Sequence, residues 1–217
     1  MRKCCLRELG RTDYGQALEL QRQLIAERQQ GLIPDQLLLL EHPHVITLGR
    51  NGKAGNVLAS GEVLSRAGIA FYPTDRGGDV TYHGPGQLVG YPILDLRERQ
   101  RDVGAYVRAV EQVIIDTLAD YGIAAGRIPK LTGVWVDDRK IAAIGVHISR
   151  WVTSHGFALN VSTDLSYFQY IVPCGLTKPV TSMAALGVVA GLHEVGQTLA
   201  AHFGRIFSCE MGELIHD

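Results

Sequence analysis

The sequence has no excess of charge of either sign and no long apolar run. Its 217 residues include 21 Lys and Arg against 22 Asp and Glu, for a net charge of −1, so the basic surface typical of nucleic-acid binding is not expected. No stretch approaches the roughly 18 consecutive apolar residues of a membrane span. The first residues carry charges and two cysteines rather than an apolar segment, so we expect no signal peptide and a cytoplasmic protein.

Cysteine is scarce and dispersed. The four cysteines show neither C-x-x-C spacing nor a dense framework, which favours free thiols in a reducing compartment over a disulfide scaffold. Three of them are predicted to have a packing or incidental role, and the two near the amino terminus lie in a segment that we expect to be mobile. These three are Cys4, Cys5 and Cys209.

Motifs for phosphate and metal binding are missing as well. The chain contains no G-x-x-x-x-G-K-[ST] and no G-x-G-x-x-G that opens a helix after a strand, so neither type of nucleotide-binding loop is predicted. His42 and His44 lack further Cys or His residues at zinc-site spacing. We therefore expect no metal and no cofactor.

The remaining composition is that of an ordinary globular protein. Apolar residues make up 46% and charged residues 20%, and the length fits a single domain over residues 1–217. Apolar residues recur at helical spacing in three segments, with strand-like runs between them. The pattern predicts an α+β fold with a mixed, mainly antiparallel sheet and flanking helices. The helical segments are 12–30, 102–121 and 193–207, and the strand-like runs are 37–40, 45–49, 69–73, 88–96, 133–136, 141–148 and 157–161.

Residues 76–87 are the most unusual stretch of the chain. Their sequence, Arg-Gly-Gly-Asp-Val-Thr-Tyr-His-Gly-Pro-Gly-Gln, combines four glycines with a cation, an anion and an imidazole. Glycine lets a backbone approach a ligand closely, and loops that carry polar side chains often bind substrates. We expect this stretch to be a loop that joins two strands and forms a wall of an active site.

Cys174 is a candidate nucleophile because it lies between Pro173 and Gly175 in a tight loop. Such a loop presents the sulfur beside backbone amides, as acyl transfer requires, although a buried structural cysteine also fits the composition. A thiol with a pKa near 8.5 needs a neighbouring cation or base. Lys140 is one candidate for this cation. It is the first residue of an apolar strand, and it is expected to share a face of that strand with Ala142, so that its amine points into the domain. The other candidates are His42, His44, His83, His147 and His155.

Three motifs resemble those of the octanoyltransferases of lipoate biosynthesis. They are residues 76–88, Lys140–Gly145 and Pro173–Gly175, in the family's order, and the resemblance runs from the helix near residue 14 to the last helix. It implies a fold similar to the catalytic domains of biotin and lipoate protein ligases. It also implies, without a cofactor, transfer of an octanoyl group from octanoyl-acyl carrier protein through a cysteine thioester to a lysine of a lipoyl domain. The implied acceptors are the E2 subunits of 2-oxoacid dehydrogenases and the glycine cleavage H protein.

The resemblance also implies roles for individual residues. Cys174 matches the nucleophile that forms the acyl thioester, and Lys140 matches the residue that lowers its pKa. Asp79 is a departure, since many members carry glutamine there. The residues that match the substrate-binding segments are Arg76, Gly77, Gly78, Asp79, Val80, Thr81, Tyr82, His83, Ala143, Ile144, Gly145, Gly156, Phe157 and Ala158.

Two other functions stay open at this point. A lipoate or biotin ligase on the same fold would use ATP to form an acyl-adenylate, and a catalytically silent binder would hold the fatty acid or the carrier protein. Octanoyl transfer needs no ATP, because thioester exchange is nearly isoenergetic and conversion of a thioester to an amide is downhill. The preferred acceptor, the range of acyl lengths, the oligomeric state and the roles of His42, His44 and His83 are not determined by the sequence.

Overall fold

The computed structural model describes residues 2–172 and 178–216, with side chains described up to residue 212. In this part of the chain, no helix has the length and apolar character to cross a membrane. The strands are β1 (Arg2–Arg11), β2 (Asp35–Glu41), β3 (Val45–Leu48), β4 (Ala70–Pro73), β5 (Val80–His83), β6 (Gln87–Ile93), β7 (Gly126–Ile128), β8 (Leu131–Val136), β9 (Arg139–Ser149), β10 (Val152–Asn160) and β11 (Cys209–His216). The α-helices are α1 (Tyr14–Gln29), α2 (Gly61–Arg66), α3 (Val103–Asp120) and α4 (Leu192–Ile206), and short 3₁₀ turns include Ala54–Asn56 and Leu165–Tyr170.

The strands form one large and one small sheet. The large sheet has the order β11-β1-β2-β6-β10-β9-β8-β7, and the small sheet has the order β4-β3-β5. In the large sheet β1 runs parallel to both of its neighbours, and every other pairing is antiparallel. The predicted α+β fold with a mixed, mainly antiparallel sheet is therefore confirmed.

Helices cover the large sheet on both faces. Leu37 and Leu39 pack with residues of α3 and α4, whereas Leu38 and Leu40 pack with residues of α1 on the opposite face. Successive side chains of a strand point to opposite faces. This explains why the run 37–40 is apolar at every position instead of at alternate ones.

The predicted helix boundaries are confirmed by their caps. The carboxylate of Asp13 accepts hydrogen bonds from the backbone N–H groups of Gly15 and Gln16 at 2.8 and 3.3 Å, and Asp102 accepts from the N–H of Ala105 at 2.9 Å. These contacts satisfy donors that have no partner within the first turn of a helix. Gly122 follows α3 with a positive φ of 72°, the conformation that commonly ends a helix.

The prediction that the amino terminus is mobile is wrong. Residues Arg2–Arg11 form β1, which pairs with β2 on one side and β11 on the other. Cys4 and Leu6 are buried in the core beneath α3 and α4. Both partner strands lie far from β1 in sequence, so no local turn signal marks the pairing.

The stretch 76–87 is also not one continuous loop. Val80–His83 form β5, which pairs antiparallel with β3 and places Tyr82 opposite Ile46. The residues Val80, Thr81 and Tyr82 have high strand propensity. The strand is short and has glycines on both sides, so the sequence pattern of the whole stretch is that of a loop. Two tight glycine segments therefore flank a strand.

Candidate active site

Two adjoining cavities lie between β5 of the small sheet and strands β9 and β10 of the large sheet, and together they are called the slot. Thr81, Ala143 and Ala158 line both cavities and so mark the middle of the slot. Ala143 and Ala158 are direct partners on the two strands, and their small side chains keep the floor of the slot open. Lys140 and Asn160 lie at one end, and Gly145 and His155 lie at the other.

Strand alternation decides which residues of the glycine-rich stretch face the slot. Thr81 and His83 line it, whereas Val80 and Tyr82 point the other way, into the core of the small sheet. Of the fourteen predicted substrate-binding residues, the slot is lined by Arg76, Gly78, Thr81, His83, Ala143, Ile144, Gly145, Gly156, Phe157 and Ala158.

Arg76 ties the glycine-rich stretch to β3. Its guanidinium is buried, and Nη2 donates to the carbonyl oxygens of Thr47 at 2.7 Å and Asp79 at 2.8 Å. Its Nε donates to Oγ1 of Thr47 at 3.1 Å. These charge-assisted bonds hold the backbone of residues 76–79 in place beside the slot.

Gly77 and Gly145 meet backbone to backbone. The N–H of Gly77 donates to the carbonyl of Val146 at 2.8 Å, and a Cβ added at Gly145 would lie 2.8 Å from the oxygen of Gly77 and 3.2 Å from Cδ of Arg76. Only glycine allows so close an approach. The glycine-rich stretch is therefore in direct backbone contact with β9 at Gly145 and Val146.

Asp79 acts on the neighbouring loop rather than on the slot. Its carboxylate accepts from the backbone N–H of Lys53 at 3.1 Å and of Val80 at 2.7 Å, and from the side-chain amide of Asn56. Asn56 in turn accepts, through its backbone oxygen, from the N–H of Val172 at 2.8 Å. Asp79 thus holds the turn to which Val172 is attached.

Lys140 faces the slot because of a β-bulge. Trp135 pairs with Lys140 and Val134 pairs with Ala142, so Ile141 is an extra residue in β9. Ala142 packs into the core with α3, and if residues 140–142 followed regular alternation, without a bulge, Lys140 would lie on that same face. The expectation that Lys140 and Ala142 share a face is therefore wrong, because the bulge turns the lysine toward the slot.

Cys174 lies in 173–177, outside the described residues. The described residues on both sides are held by backbone hydrogen bonds. Val172 is bound to Asn56, as noted above, and the N–H of Lys140 donates to the carbonyl of Pro179 at 2.9 Å. The N–H of Thr181 donates to the carbonyl of Lys140 at 2.9 Å, so the chain after this segment runs beside Lys140.

His83 is a neutral member of the slot wall. The amide nitrogen of Gln87 donates to the oxygens of Tyr82 and Asn160 at 3.2 and 2.9 Å, so its oxygen accepts, at 2.8 Å, a hydrogen bond from Nδ1 of His83. Burial lowers the pKa of His83 to about 3, since the charged form is poorly solvated there. The ring therefore carries its proton on Nδ1 at neutral pH.

The other two unassigned histidines do not line the slot. Nδ1 of His42 donates to the carbonyl of Thr12 at 2.7 Å, and Nε2 accepts from the hydroxyl of Tyr91 at 2.8 Å. Burial lowers the pKa of His42 to about 4. His44 stacks on the ring of Tyr167 with centroids 4.2 Å apart, so both rings serve packing and hydrogen bonding in the described structure.

Several residues of the slot were missed by the site prediction. Tyr14 comes from the start of α1, Gln87 and Tyr91 from β6, Asn160 from the end of β10, and Phe168 from a 3₁₀ turn. No local motif links these positions, because the fold alone brings their elements together. Gln87 is the one of these residues that the sequence could have indicated, since it is the last residue of the glycine-rich stretch.

Comparison with known proteins assigns the family. Residues 13–204 match the family model described as the lipoyl protein ligase A/B catalytic domain. Over 211 residues the chain is 78% identical to a protein of Solibacter usitatus named Octanoyltransferase, covering 97% of this chain and 96% of that protein. A protein of the same name from Koribacter versatilis is 55% identical and covers 92% and 82% of the two chains. The chain belongs to the octanoyltransferase family.

Solved structures show that this octanoyltransferase shares the ligase fold. A lipoate protein ligase from Thermoplasma acidophilum aligns with a TM-score of 0.79 at 18% identity, over 99% of this chain and 88% of that one. Lipoate-protein ligase A bound with ATP aligns with a TM-score of 0.74 at 17% identity, over 99% and 90%. Biotin protein ligase from Aquifex aeolicus aligns with a TM-score of 0.54 at 11% identity, over 96% and 70%. The predicted likeness of fold is confirmed.

Proposed function

We propose that this enzyme moves an octanoyl group from octanoyl-acyl carrier protein to a lysine of a lipoyl domain, through a thioester on Cys174. The observation that carries the proposal is that Ala143 and Ala158 line both cavities of the slot and that Lys140 lines the cavity at one end. A slot of this kind suits an acyl chain whose reacting carbonyl lies at the lysine.

The first step is thioester exchange. The thiolate of Cys174 attacks the carbonyl carbon of the octanoyl thioester, and the carrier protein's sulfur leaves as a thiolate that takes a proton from Lys140. Lys140 favours the thiolate through its positive charge. The bond formed and the bond broken are both thioester bonds, so no ATP is consumed.

The second step forms the amide. The acceptor lysine attacks the Cys174 thioester as a neutral amine, the carbon–sulfur bond breaks, and the thiolate is regenerated. The amine must lose a proton to become nucleophilic, and Lys140 in its neutral form is the proposed base. One residue then serves both half-reactions.

The lining of the slot supports an acyl substrate. Ala143 and Ala158 form its floor, whereas Ile144 and Phe157, which also border it, pack with the core that contains residues of α3 and α4. Each methylene that leaves water contributes about 0.8 kcal/mol. The fourteen predicted substrate-binding residues are proposed to act in two ways. The ten that line the slot contact the substrate, and the other four, Gly77, Asp79, Val80 and Tyr82, keep the surrounding backbone in place.

A transferase fits this site better than an ATP-dependent ligase. The guanidinium of Arg76, the cation of the glycine-rich stretch, donates to Thr47 and to the carbonyl of Asp79, so its hydrogen bonds are directed at protein oxygens. All three solved structures cited above are ligases, but at 11–18% identity they do not show that this chain uses ATP.

The proposed partners follow from the chemistry. The donor is octanoyl-acyl carrier protein, and the acceptors are the lipoyl domains of 2-oxoacid dehydrogenase E2 subunits and the glycine cleavage H protein. The Thermoplasma acidophilum structure pairs a lipoate protein ligase with its E2 lipoyl domain, which supports this class of acceptor. Because the nucleophile must be a free thiol, we place the reaction in the cytoplasm, with residues 1–217 acting as one catalytic domain.

Intact-mass measurement after mixing with octanoyl-acyl carrier protein tests the proposal. We expect one added octanoyl group on the parent enzyme and on the control Cys5→Ser, its loss when a lipoyl domain is added, and no adduct on Cys174→Ala. Full turnover by Cys174→Ala would contradict the thioester mechanism. Release of pyrophosphate from ATP with free octanoate would indicate a ligase, and fatty-acid binding without transfer would indicate a silent binder.

A further inference from the structure

His155 lies at the end of the slot away from Lys140. Along the ladder of β9 and β10, Ala143 pairs with Ala158, and Val146 pairs with His155. His155 lines the slot, and its side chain is 3% exposed. It therefore ends the row of small side chains that forms the floor.

Two hydrogen bonds hold His155 in this position, and its backbone conformation is unusual. Its Nε2 lies 2.8 Å from Oδ1 of Asp75, and its backbone N–H donates to the side-chain oxygen of Gln21, a buried residue of α1, at 2.8 Å. Its φ is 54°, a conformation that non-glycine residues keep only where the surroundings impose it. Asp75 thus holds the ring, and Gln21 holds the backbone of the same residue.

Nδ1 of His155 is buried and has no hydrogen-bond partner among the described residues. Since a carboxylate only accepts, Asp75 fixes the proton of the neutral ring on Nε2 and leaves a lone pair on Nδ1. Burial lowers the pKa of His155, which favours this neutral form. The slot therefore changes at His155 from an apolar floor to a polar wall.

The length of the slot matches a medium-length acyl chain. With Ile141 bulged out, Lys140 and Gly145 are about four ladder positions apart, and at about 3.3 Å per residue this is roughly 13 Å, close to an extended octanoyl group with its thioester. Beyond His155 the side chain of Asp75 is 59% exposed and that of His147 is 24% exposed. A chain that passed His155 would reach the surface.

We propose that His155, held by Asp75, is a specificity-determining residue that limits the length of acyl chain the slot accepts. The inference rests on the proposed function, in which the slot holds the octanoyl chain with its carbonyl at Lys140. Shortening this side chain opens the end of the slot and admits longer chains. Loss of the Asp75 carboxylate frees the ring to turn and has the same effect to a smaller extent.

Competition between acyl chains on the carrier protein tests the proposal. Octanoyl- and decanoyl-carrier proteins are mixed in equal amounts with a lipoyl domain, and the masses of the modified domains give the ratio of the two transfers. His155→Asn is the main variant, because asparagine is shorter and tolerates a positive φ. We expect its decanoyl-to-octanoyl ratio to rise about tenfold, the order expected for burying two further methylenes.

Two further variants make the result decisive. His147→Asn alters a histidine that approaches the same Asp75 carboxylate at 3.7 Å from the solvent side, and we expect an unchanged ratio. Asp75→Ala changes an exposed residue and replaces the main variant if His155→Asn does not fold; we expect a rise of about threefold. General damage would lower both transfers together and leave the ratio as in the parent enzyme.

The outcomes separate this inference from the proposed function. Unchanged ratios in His155→Asn and Asp75→Ala, with octanoyl transfer intact, would overturn the role of His155 alone. Absence of octanoyl transfer by the parent enzyme would overturn the proposed function, and the inference would fall with it. An equal rise in His147→Asn would also overturn the proposal, because that residue does not line the slot.

Discussion

Nζ of Lys140 lies 4.8 Å from the centre of the Trp135 ring. The two residues are direct partners across β8 and β9, and the electron-rich face of an indole attracts a cation at this distance. Trp135 therefore helps to place the ammonium group at the end of the slot. The extra residue Ile141 gives Lys140 this orientation, and Trp135 supports it.

Replacing Lys140 with methionine keeps most of the side-chain volume and removes the charge. We expect transfer to fall at least about 100-fold, the usual contribution of a positioned acid or base. The reaction of Cys174 with iodoacetamide should also shift toward the pH range of an ordinary thiol, near 8.5. Lys3→Met, at an exposed residue of β1, is the control, and normal alkylation of Lys140→Met at neutral pH would contradict the role of the lysine.

Gly133→Ala tests the backbone opposite the bulge. Gly133 has a φ of 128°, and an added Cβ would lie 2.7 Å from the carbonyl oxygen of Ala142 and 3.4 Å from Cε of Lys140. We expect the free energy of unfolding to fall by about 1–3 kcal/mol and transfer to fall with it, because β9 must shift. Urea denaturation and the transfer assay measure the two effects.

Gly126→Ala is the matched control for this change. It lies on the neighbouring β7, and no described atom would come within 4 Å of its added Cβ. We expect its stability to stay within about 0.5 kcal/mol of the parent enzyme. Equal losses in the two variants would show that the contact at Gly133 is not the cause.

Gly145→Ala should separate the glycine-rich stretch from β9. The new methyl group would meet the backbone oxygen of Gly77 at 2.8 Å, and a backbone oxygen yields less readily than the end of a flexible side chain. We expect octanoyl transfer to fall at least about tenfold, with a smaller effect on stability, since the methyl group also enters the slot. Gly55→Ala, where no described atom lies within 4 Å, should transfer normally; retention of full activity by Gly145→Ala would count against the assigned slot.

Stability should fall with pH below about 6.5 because of the buried histidines. Burial lowers the pKa of His42 to about 4 and that of His83 to about 3, whereas in the unfolded chain both lie near 6.5. Between these values the unfolded state binds more protons than the folded state, so the free energy of unfolding decreases as the pH falls. Each histidine contributes up to about 1.4 kcal/mol per pH unit over its own window.

The variant His42→Gln checks this dependence, since it removes one titrating ring. We expect a shallower loss of stability between pH 6.5 and pH 4 in urea denaturation, and an unchanged slope for the control His193→Gln, whose side chain is 71% exposed. Parallel curves for His42→Gln and the parent enzyme would show that His42 titrates normally in the folded state.

The local patterns of the sequence predicted most of the regular elements. Asp13 and Asp102 cap helices at the starts of the predicted segments 12–30 and 102–121, because capping depends on neighbours within one turn. β1 was missed because its partners, β2 and β11, are distant in sequence. The face of Lys140 was predicted wrongly because a bulge is set by the pairing of two strands and leaves no mark on the alternation of one.

The sequence by itself determined the family, the class of fold and the residues that carry the motifs, because these depend on residue identity and order. The roles of Cys174 and Lys140 in acyl transfer stay predictions. Only the tertiary structure decided that residues 80–83 form a strand, that Ile141 turns Lys140 toward the slot and that His155 ends it. The first depends on the pairing of β5 with β3, the second on the pairing of β9 with β8, and the third on the contacts of His155 with Asp75 and Gln21. Each is a contact between separate segments, which the pattern within one segment does not reveal.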